Sequence, residues 1–230
     1  MAVEDAGIVR MGMIRRLPAL TPAEFTEHWR GPHGQFGARI LNLRRYHQNH
    51  TIQSLPLGRL ADRWMLDGLS QLWFDSIEVM TQSIASPSYA TLASDTPTVM
   101  TMPGLIAGTP ERVAGLAPGT ASLHKAMVVI GRKDDVSSEA FLAGWRDLSA
   151  GLRKAPGLAG LTNTVVSHRE SEPGKPVAYQ ALPVDVVAEV WFDTGQALNA
   201  FFAAPGLAAE VERLADNAGV YAVQTYVIVP

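Results

Sequence analysis

Two short runs, HWRGPHG at 28–34 and RRYHQNH at 44–50, concentrate side chains that can move a proton near neutral pH. They contain four of the six histidines of the chain. Imidazole is the side chain whose unperturbed pKa lies nearest to physiological pH, and histidine is the commonest general acid or base. Tyr46, in the second run, can donate a proton to a developing enolate. The two runs therefore predict a proton-transfer site, which the rest of the fold must assemble.

His33 is the first candidate for a catalytic base. We expect Gly31 and Pro32 to interrupt the helix after Arg30 and restart it, because proline donates no hydrogen bond but fits a first helical turn. His33 would then lie at a helix N-terminus, where the positive end of the dipole disfavours imidazolium. The sequence thus predicts a lowered pKa for His33 and a neutral ring that acts as a base.

The second run reads as a strand with two different faces, since alternate side chains of a strand point in opposite directions. One face carries Tyr46, Gln48 and His50, and we expect it to line the interior of the fold. Tyr46 would donate to an enolate, His50 would supply a second acid or base, and Gln48 would contact the substrate. Asn49 and His47 would then lie on the helix-covered face or at the rim, where Asn49 is a further candidate for substrate contact.

Two isolated residues complete the set of candidate site residues. Trp64 lies in a long loop and has no counterpart in the second half of the chain, so it is a candidate for the mouth of the cavity. His124 opens a strand in the second half; it either faces the same cavity or is a core histidine with satisfied hydrogen bonds.

The chain contains an internal repeat. TPAEFTEHWR at 21–30 aligns without gaps with SSEAFLAGWR at 137–146, which pairs a phenylalanine and a tryptophan in each copy. QLWFD at 71–75 aligns with EVWFD at 189–193 further along. Two landmarks in the same order indicate a duplication. The second copy has lost the histidines and keeps the aromatic residues, so we expect it to be mainly scaffold.

Each copy shows the element order βαββαβ, which is typical of a ferredoxin-like unit. The first helix has a clear start, because Thr21, Pro22 and Glu24 form a capping box with proline in the first turn. A βαββαβ unit leaves one sheet face uncovered, and two such sheets can cover each other. We therefore predict an α+β fold in which two antiparallel sheets form one intramolecular barrel. The predicted boundaries are 1–101 for the first, site-bearing repeat, 102–120 for a linker and 121–230 for the second, degenerate repeat.

The segments LTPAEFTEHWRGPHGQF, RRYHQNH, LWFDS and SPSY together resemble the EthD-like family of the dimeric α+β barrel superfamily. The resemblance covers the first repeat well and the second only in its helix and WFD segment. Relatives of this fold include cofactor-independent isomerases, cyclases, decarboxylases and monooxygenases and, more distantly, haem enzymes. His33 and Tyr46 are similar in spacing to the histidine and tyrosine of the methylmuconolactone isomerase type. The resemblance implies a small-molecule pocket without a cofactor.

Composition excludes several other classes of protein. A net charge of −3 gives no electrostatic reason to expect nucleic acid or an anionic membrane as a partner. The chain has no cysteine and no H-E-x-x-H, P-loop or G-x-G-x-x-G motif, so we expect no metal and no cofactor. It also lacks a signal peptide and a long apolar segment, which favours a cytoplasmic protein. A homodimer, if formed, would use outer surfaces, since the duplication already supplies both halves of the barrel.

These observations favour a cofactor-independent isomerase or lyase whose ligand is a small hydrophobic cyclic molecule derived from a polyketide or an aromatic compound. Isomerisation, cyclisation, dehydration and decarboxylation all fit one base and one proton donor. One alternative is a ligand-binding or accessory protein without turnover. Another is a haem-binding protein or a cofactor-free oxygenase.

Overall fold

The computed structural model describes residues 7–116 and 123–230. The first repeat consists of β1 (Ile8–Arg16), α1 (Pro22–His28), a π-helical turn (Trp29–His33), α2 (Gly34–Gly37), β2 (Arg45–Leu55), β3 (Gly68–Phe74), α3 (Ile77–Ile84), α4 (Pro87–Val99) and β4 (Met100–Ala114). The second consists of β5 (His124–Arg132), α5 (Ser138–Leu152), β6 (Leu158–Glu172), β7 (Lys175–Pro176), a 3-10 turn (Tyr179–Ala181), β8 (Val186–Phe192), α6 (Gly195–Phe202), α7 (Pro205–Leu214) and β9 (Ala215–Val229).

The strands form one antiparallel sheet that closes on itself. Its order is β4-β1-β3-β2 in the first repeat, followed by β9-β5-β8-β6 in the second. β2 pairs with β9, and β4 pairs with β6, so each repeat supplies both edges that the other needs. The short β7 adds only to β6. The predicted α+β barrel of two ferredoxin-like repeats is confirmed, and it closes within one chain.

The first helix begins as the sequence predicts. The hydroxyl of Thr21 accepts from the backbone N–H of Glu24 at 3.3 Å, and the Glu24 carboxylate accepts from the backbone N–H of Thr21 at 2.8 Å. This capping box satisfies two backbone N–H groups at the helix start. Phe25 and Trp29 follow one turn apart and are buried on the same face. The start of α1 is therefore fixed by local hydrogen bonds and its orientation by two aromatic rings.

The predicted break at Gly31 and Pro32 is wrong. The chain stays helical from Pro22 to Gly37, and Pro32 lies inside a π-helical turn. In an α-helix, a proline lacks the N–H for the bond to the carbonyl four residues back and its ring collides with that carbonyl. The wider π turn, with hydrogen bonds from i to i+5, accommodates both defects. His33 consequently lies within a continuous helix and not at a free N-terminus.

The predicted orientation of β2 is also wrong. The ring centroid of His47 lies 4.7 Å from that of Trp73, and Asn49 bonds to Gln71 and Lys125, all inside the barrel. Tyr46 instead packs in the layer between sheet and helices. Helices cover the outer face of the sheet and barrel closure covers the inner face, so both faces of β2 are buried. Polar alternation alone could not tell one buried face from the other.

The segment predicted as a linker, 102–120, is mostly strand. β4 extends to Ala114, and after Gly108 it leaves β1 and pairs only with β6. Pro110 fits there because proline has no backbone N–H to donate, so it needs a side of the strand that has no neighbouring strand. Strand β4 of the first repeat thus extends to Ala114, and residues 117–120 of the predicted linker lie outside the described residues.

Within residues 7–116 and 123–230, none of the helices combines the length and the apolar character needed to cross a bilayer.

Candidate functional site

A small cavity lies in the first repeat between its sheet and helix α4. Leucine and methionine side chains form much of its wall, and the polar residues of the wall come from both layers. These are Arg10, His33, Tyr46, Ser70, Tyr89 and Thr96. The cavity volume is about 20 Å³, which is room for about one water molecule. His33 and Tyr46 thus share a cavity, but outside the barrel and not inside it.

Asp95 of α4 holds the two histidines of the first run. Its carboxylate lies 2.8 Å from Nδ1 of His33, and its two oxygens lie 3.0 and 3.2 Å from Nε2 of His28. Burial alone would raise the pKa of Asp95, but the hydrogen bonds and charges of the two histidines lower it overall. Sequence reasoning missed Asp95. The available signal is that it is the one charged residue of α4, PSYATLASDTPTV.

The contact with Asp95 determines which nitrogen of His33 is basic. Because Nδ1 donates to the carboxylate, Nε2 carries the free lone pair. Burial lowers the pKa of His33, although the hydrogen bond and charge of Asp95 oppose that effect. The predicted direction of the pKa shift is the one found, but its cause is burial, because the helix has no free end at His33. The result is a neutral imidazole, oriented by a carboxylate, on the wall of the cavity.

Tyr46 is fixed from two sides. Nε2 of Gln48 donates to its hydroxyl at 2.9 Å and to the backbone carbonyl of Trp29 at 2.6 Å. Burial raises the pKa of Tyr46 to about 12, so the hydroxyl keeps its proton at neutral pH. A Cβ on Gly37 would lie 2.5 Å from the tyrosine ring, so glycine is needed for helix α2 to approach it. Gln48 therefore positions Tyr46, and it does not line the cavity.

Arg10 adds a positive charge that sequence reasoning did not assign to the site. Its Nη1 donates to the hydroxyl of Tyr89 at 3.2 Å, and its Nη2 donates to Glu170 at 2.8 Å. Glu170 lies on β6 of the second repeat, and its other oxygen lies 3.0 Å from Nε2 of His168. Sequence reasoning could not find this contact, because 160 residues separate its partners. The second repeat is therefore more than scaffold for this cavity.

His50 lies away from the cavity. Its ring stacks on Trp29 with centroids 4.0 Å apart and meets the edge of Tyr226 at 4.7 Å. Burial, with a further contribution from the charge of Arg30, lowers the pKa of His50 to about 3. Its Nε2 lies 3.2 Å from the Gln48 side-chain oxygen. The ring is therefore neutral and packs against other aromatic rings. The sequence predicted His50 as a second acid or base of the site, but the side chain does not line the cavity.

Asn49 belongs to a second polar group, here called the interior network, which consists of Asn49, Gln71, Lys125, Glu189 and Thr225. Lys125 and Glu189 form an ion pair at 2.6 Å and are 6% and 8% exposed. Asn49 receives hydrogen bonds from Lys125 at 2.9 Å and from Thr225 at 2.8 Å, and it donates to Gln71 at 2.9 Å. Asn49 was predicted to contact the substrate. Its side chain instead makes hydrogen bonds that join the two repeats inside the barrel.

Trp64 and His124 do not join the cavity either. Trp64 packs with the apolar residues of the barrel interior, and its backbone N–H donates to Asp62 at 2.9 Å. His124 is exposed beside α6, in a surface groove of about 350 Å³. The side chain of Lys125 points into the barrel, so that of its neighbour His124 must point outward. Both residues are therefore remote from His33.

The second repeat carries a reduced version of the same arrangement. The aligned helices place Ser149 at the position of His33, and strand register places Asn163 at that of Gln48. Asn163 donates to the hydroxyl of Ser149 at 3.1 Å. Neither group is a base at neutral pH. Among the described residues, no group of three or more histidine, cysteine, aspartate or glutamate side chains could hold a metal ion.

Comparison with known proteins gives the same family as the sequence motifs. The family model of the EthD domain matches residues 17–100. No curated protein matches the sequence. Among solved structures, an anthrone oxidase-like protein is similar with a TM-score of 0.65 and 12% identity, over 100% of this chain and 97% of that one.

Two further solved structures share the fold at low identity. A putative monooxygenase from Lactobacillus acidophilus NCFM has a TM-score of 0.51 and 10% identity, over 95% of this chain and 92% of its own. A dye-decolorizing peroxidase from Bacteroides thetaiotaomicron VPI-5482 has a TM-score of 0.53 and 7% identity, over 98% and 94%. At such identities these structures establish the fold alone. Residues 17–100 thus match the EthD domain, and the whole chain has the fold of a closed α+β barrel built from two ferredoxin-like repeats.

Proposed function

We propose that this protein is a cofactor-independent enzyme that removes a proton from a carbon acid, with His33 as the base. The observation that carries the proposal is the contact of 2.8 Å between Nδ1 of His33 and Asp95, on the wall of a cavity shared with Tyr46. A histidine oriented by a carboxylate is a common general base. The proposed substrate is a small, largely apolar cyclic compound, because leucine and methionine form much of the cavity wall.

The proposed reaction begins at Nε2 of His33. That nitrogen takes a proton from a carbon next to a carbonyl group, and Asp95 stabilises the imidazolium that results. Tyr46 stays protonated at neutral pH and can donate a hydrogen bond to the enolate oxygen. Return of the proton to another carbon gives isomerisation, and loss of a hydroxyl group from the carbon one further along, as water with the proton held by His33, gives dehydration. Proton removal is the first step of both.

A substrate needs more space than the cavity offers in this conformation. Met100, Met102 and Leu92 are among the residues that line it. Methionine is unbranched and flexible, so it adapts readily to a ligand. We propose that these side chains move when a ring enters.

A second candidate is cofactor-free oxygenation. It is favoured by the similarity of the whole chain to an anthrone oxidase-like protein at a TM-score of 0.65. The first step is the same proton transfer to His33. The carbanion then adds to dioxygen, and the resulting peroxide anion takes back the proton, so that a C–H group and O₂ become a hydroperoxide. Only the fate of the carbanion separates the two candidates.

Hydrogen exchange tests the shared first step. A small cyclic ketone and anthrone are incubated with the protein in D₂O without oxygen, and deuterium at the acidic carbon is followed by NMR. We expect exchange above the uncatalysed rate, a fall of roughly 10²- to 10⁴-fold in His33→Gln, and a smaller fall in Asp95→Asn. His124→Gln, on the outer surface, is the matched control. Wild-type exchange rates in His33→Gln would refute the proposal, and admission of oxygen then separates isomerase from oxygenase.

A further inference from the structure

Arg10 is the one residue with a permanent charge among those that line the cavity. It lies on β1 and is 2% exposed, yet it lines the same space as His33 and Tyr46. Burial of a guanidinium costs several kcal/mol of solvation unless its charge and N–H groups find partners. A charge at this place therefore needs either a structural reason or a ligand.

The hydrogen bonds of Arg10 leave part of its donor set unused. A guanidinium has five N–H donors. Two bonds are present, from Nη1 to Tyr89 and from Nη2 to Glu170. Among the described residues, Nε of Arg10 is buried without a hydrogen-bond partner. A structural ion pair would be expected to use its rigid fork more fully, for example in a bidentate contact.

The counter-ion of Arg10 is itself held by a third group. Glu170 bonds to Arg10 through one oxygen and to His168 at 3.0 Å through the other. The carboxylate is 3% exposed, while the His168 side chain is 25% exposed. If a ligand anion replaces Glu170 as the main partner of Arg10, Glu170 keeps a hydrogen bond to His168. The arrangement can therefore exchange partners without leaving a bare buried carboxylate.

We infer that Arg10 binds an anionic oxygen of the substrate, a carboxylate or a phenolate, while Glu170 and His168 of the second repeat are positioning residues for it. This inference rests on the proposed function, and it narrows the substrate class to cyclic acids and phenols. Arg10 and His33 line the same cavity, so the anchored anion and the reacting carbon belong to one small molecule. The second repeat then contributes to the specificity of a site whose base it does not supply.

A matched pair of ligands tests the inference. Benzoate and benzamide have nearly the same shape and differ in charge, and their affinities at pH 7 are measured by calorimetric titration of the full chain. We expect the wild type to bind benzoate roughly 10- to 100-fold more tightly than benzamide, the range of one or two charge-assisted hydrogen bonds. Equal affinities, or no binding of either ligand at millimolar concentration, would overturn the inference.

Variants then locate the preference. Arg10→Met alone would leave Glu170 buried without its main partner and risks unfolding. The double variant Arg10→Met with Glu170→Gln removes both charges, and we expect it to lose the preference for benzoate. Glu170→Gln alone should strengthen benzoate binding, because the internal competitor is gone. A double variant that keeps the preference overturns the inference, even when His33→Gln shows that the proposed function holds.

Discussion

Acid is expected to destabilise this protein at a pH well above the range in which carboxylates titrate. Burial, followed by nearby charges, lowers the pKa of His47 to about 4 and that of His50 to about 3. In the unfolded chain both have a pKa of about 6.5. The unfolded state therefore binds the protons first, and the free energy of unfolding falls as the pH drops below about 6.5. At pH 5 each ring costs about 2 kcal/mol, so the two together cost at most about 4 kcal/mol.

Urea unfolding at pH 7 and pH 5, followed by tryptophan fluorescence, measures this loss. His50→Gln keeps a polar side chain that does not titrate, and it is expected to remove about half of the difference between the two pH values. His124→Gln, on the surface beside α6, is the control and should behave as the wild type does. If the wild type is equally stable at both pH values, or if His50→Gln retains the full difference, the buried neutral state of His50 is refuted.

Three further substitutions test packing in the barrel interior and around Tyr46. Lys125→Met should cost about 3–5 kcal/mol in a urea titration, because it leaves the buried carboxylate of Glu189 without its counter-ion. Adding Glu189→Gln should restore most of the loss, and no recovery would contradict the ion pair. Gly37→Ala would place a methyl group 2.5 Å from the Tyr46 ring and should cost about 1–3 kcal/mol, seen as a lower melting temperature; an unchanged value would speak against this close approach. Trp64→Ala should cost about 3–5 kcal/mol in the same thermal assay, and a loss below 1 kcal/mol would show that Trp64 does not fill the barrel.

The fold could be predicted because its signals are local or repeated. Thr21 and Glu24 identify a helix start from a four-residue pattern, and Phe25 and Trp29 recur in the second copy at the same spacing. A duplicated βαββαβ order then leaves few ways to bury two sheet faces. The end of the first repeat was harder to predict. Pro110 and the nearby glycines indicate a linker, because a strand tolerates proline only on a side that has no neighbouring strand. Only the closed barrel shows that this part of β4 has such a side.

The lining of the candidate cavity was predicted in part, for physical reasons that differ between residues. The sequence singles out His33 and Tyr46 because their chemistry is visible in it, and both residues line the cavity. His50 was misplaced because both faces of β2 are buried, so strand periodicity could not identify the inner one. Asp95 and Glu170 contact residues far away in the chain. The isolated charge of Asp95 in α4 draws attention to that residue, but the sequence does not show which residues either carboxylate contacts.

Closure of the barrel by β2 with β9 and by β4 with β6 has a consequence for the newly made chain. The first repeat leaves the ribosome with both sheet edges unpaired, and it waits on the order of ten seconds until the second repeat has been synthesised. Unpaired strand edges are templates for other chains. Two nascent first repeats that meet in this interval offer each other the edges that the second repeat will later cover. Duplication, which made a partner chain unnecessary for the finished protein, therefore creates a period during synthesis in which a second chain competes with the protein's own C-terminal half.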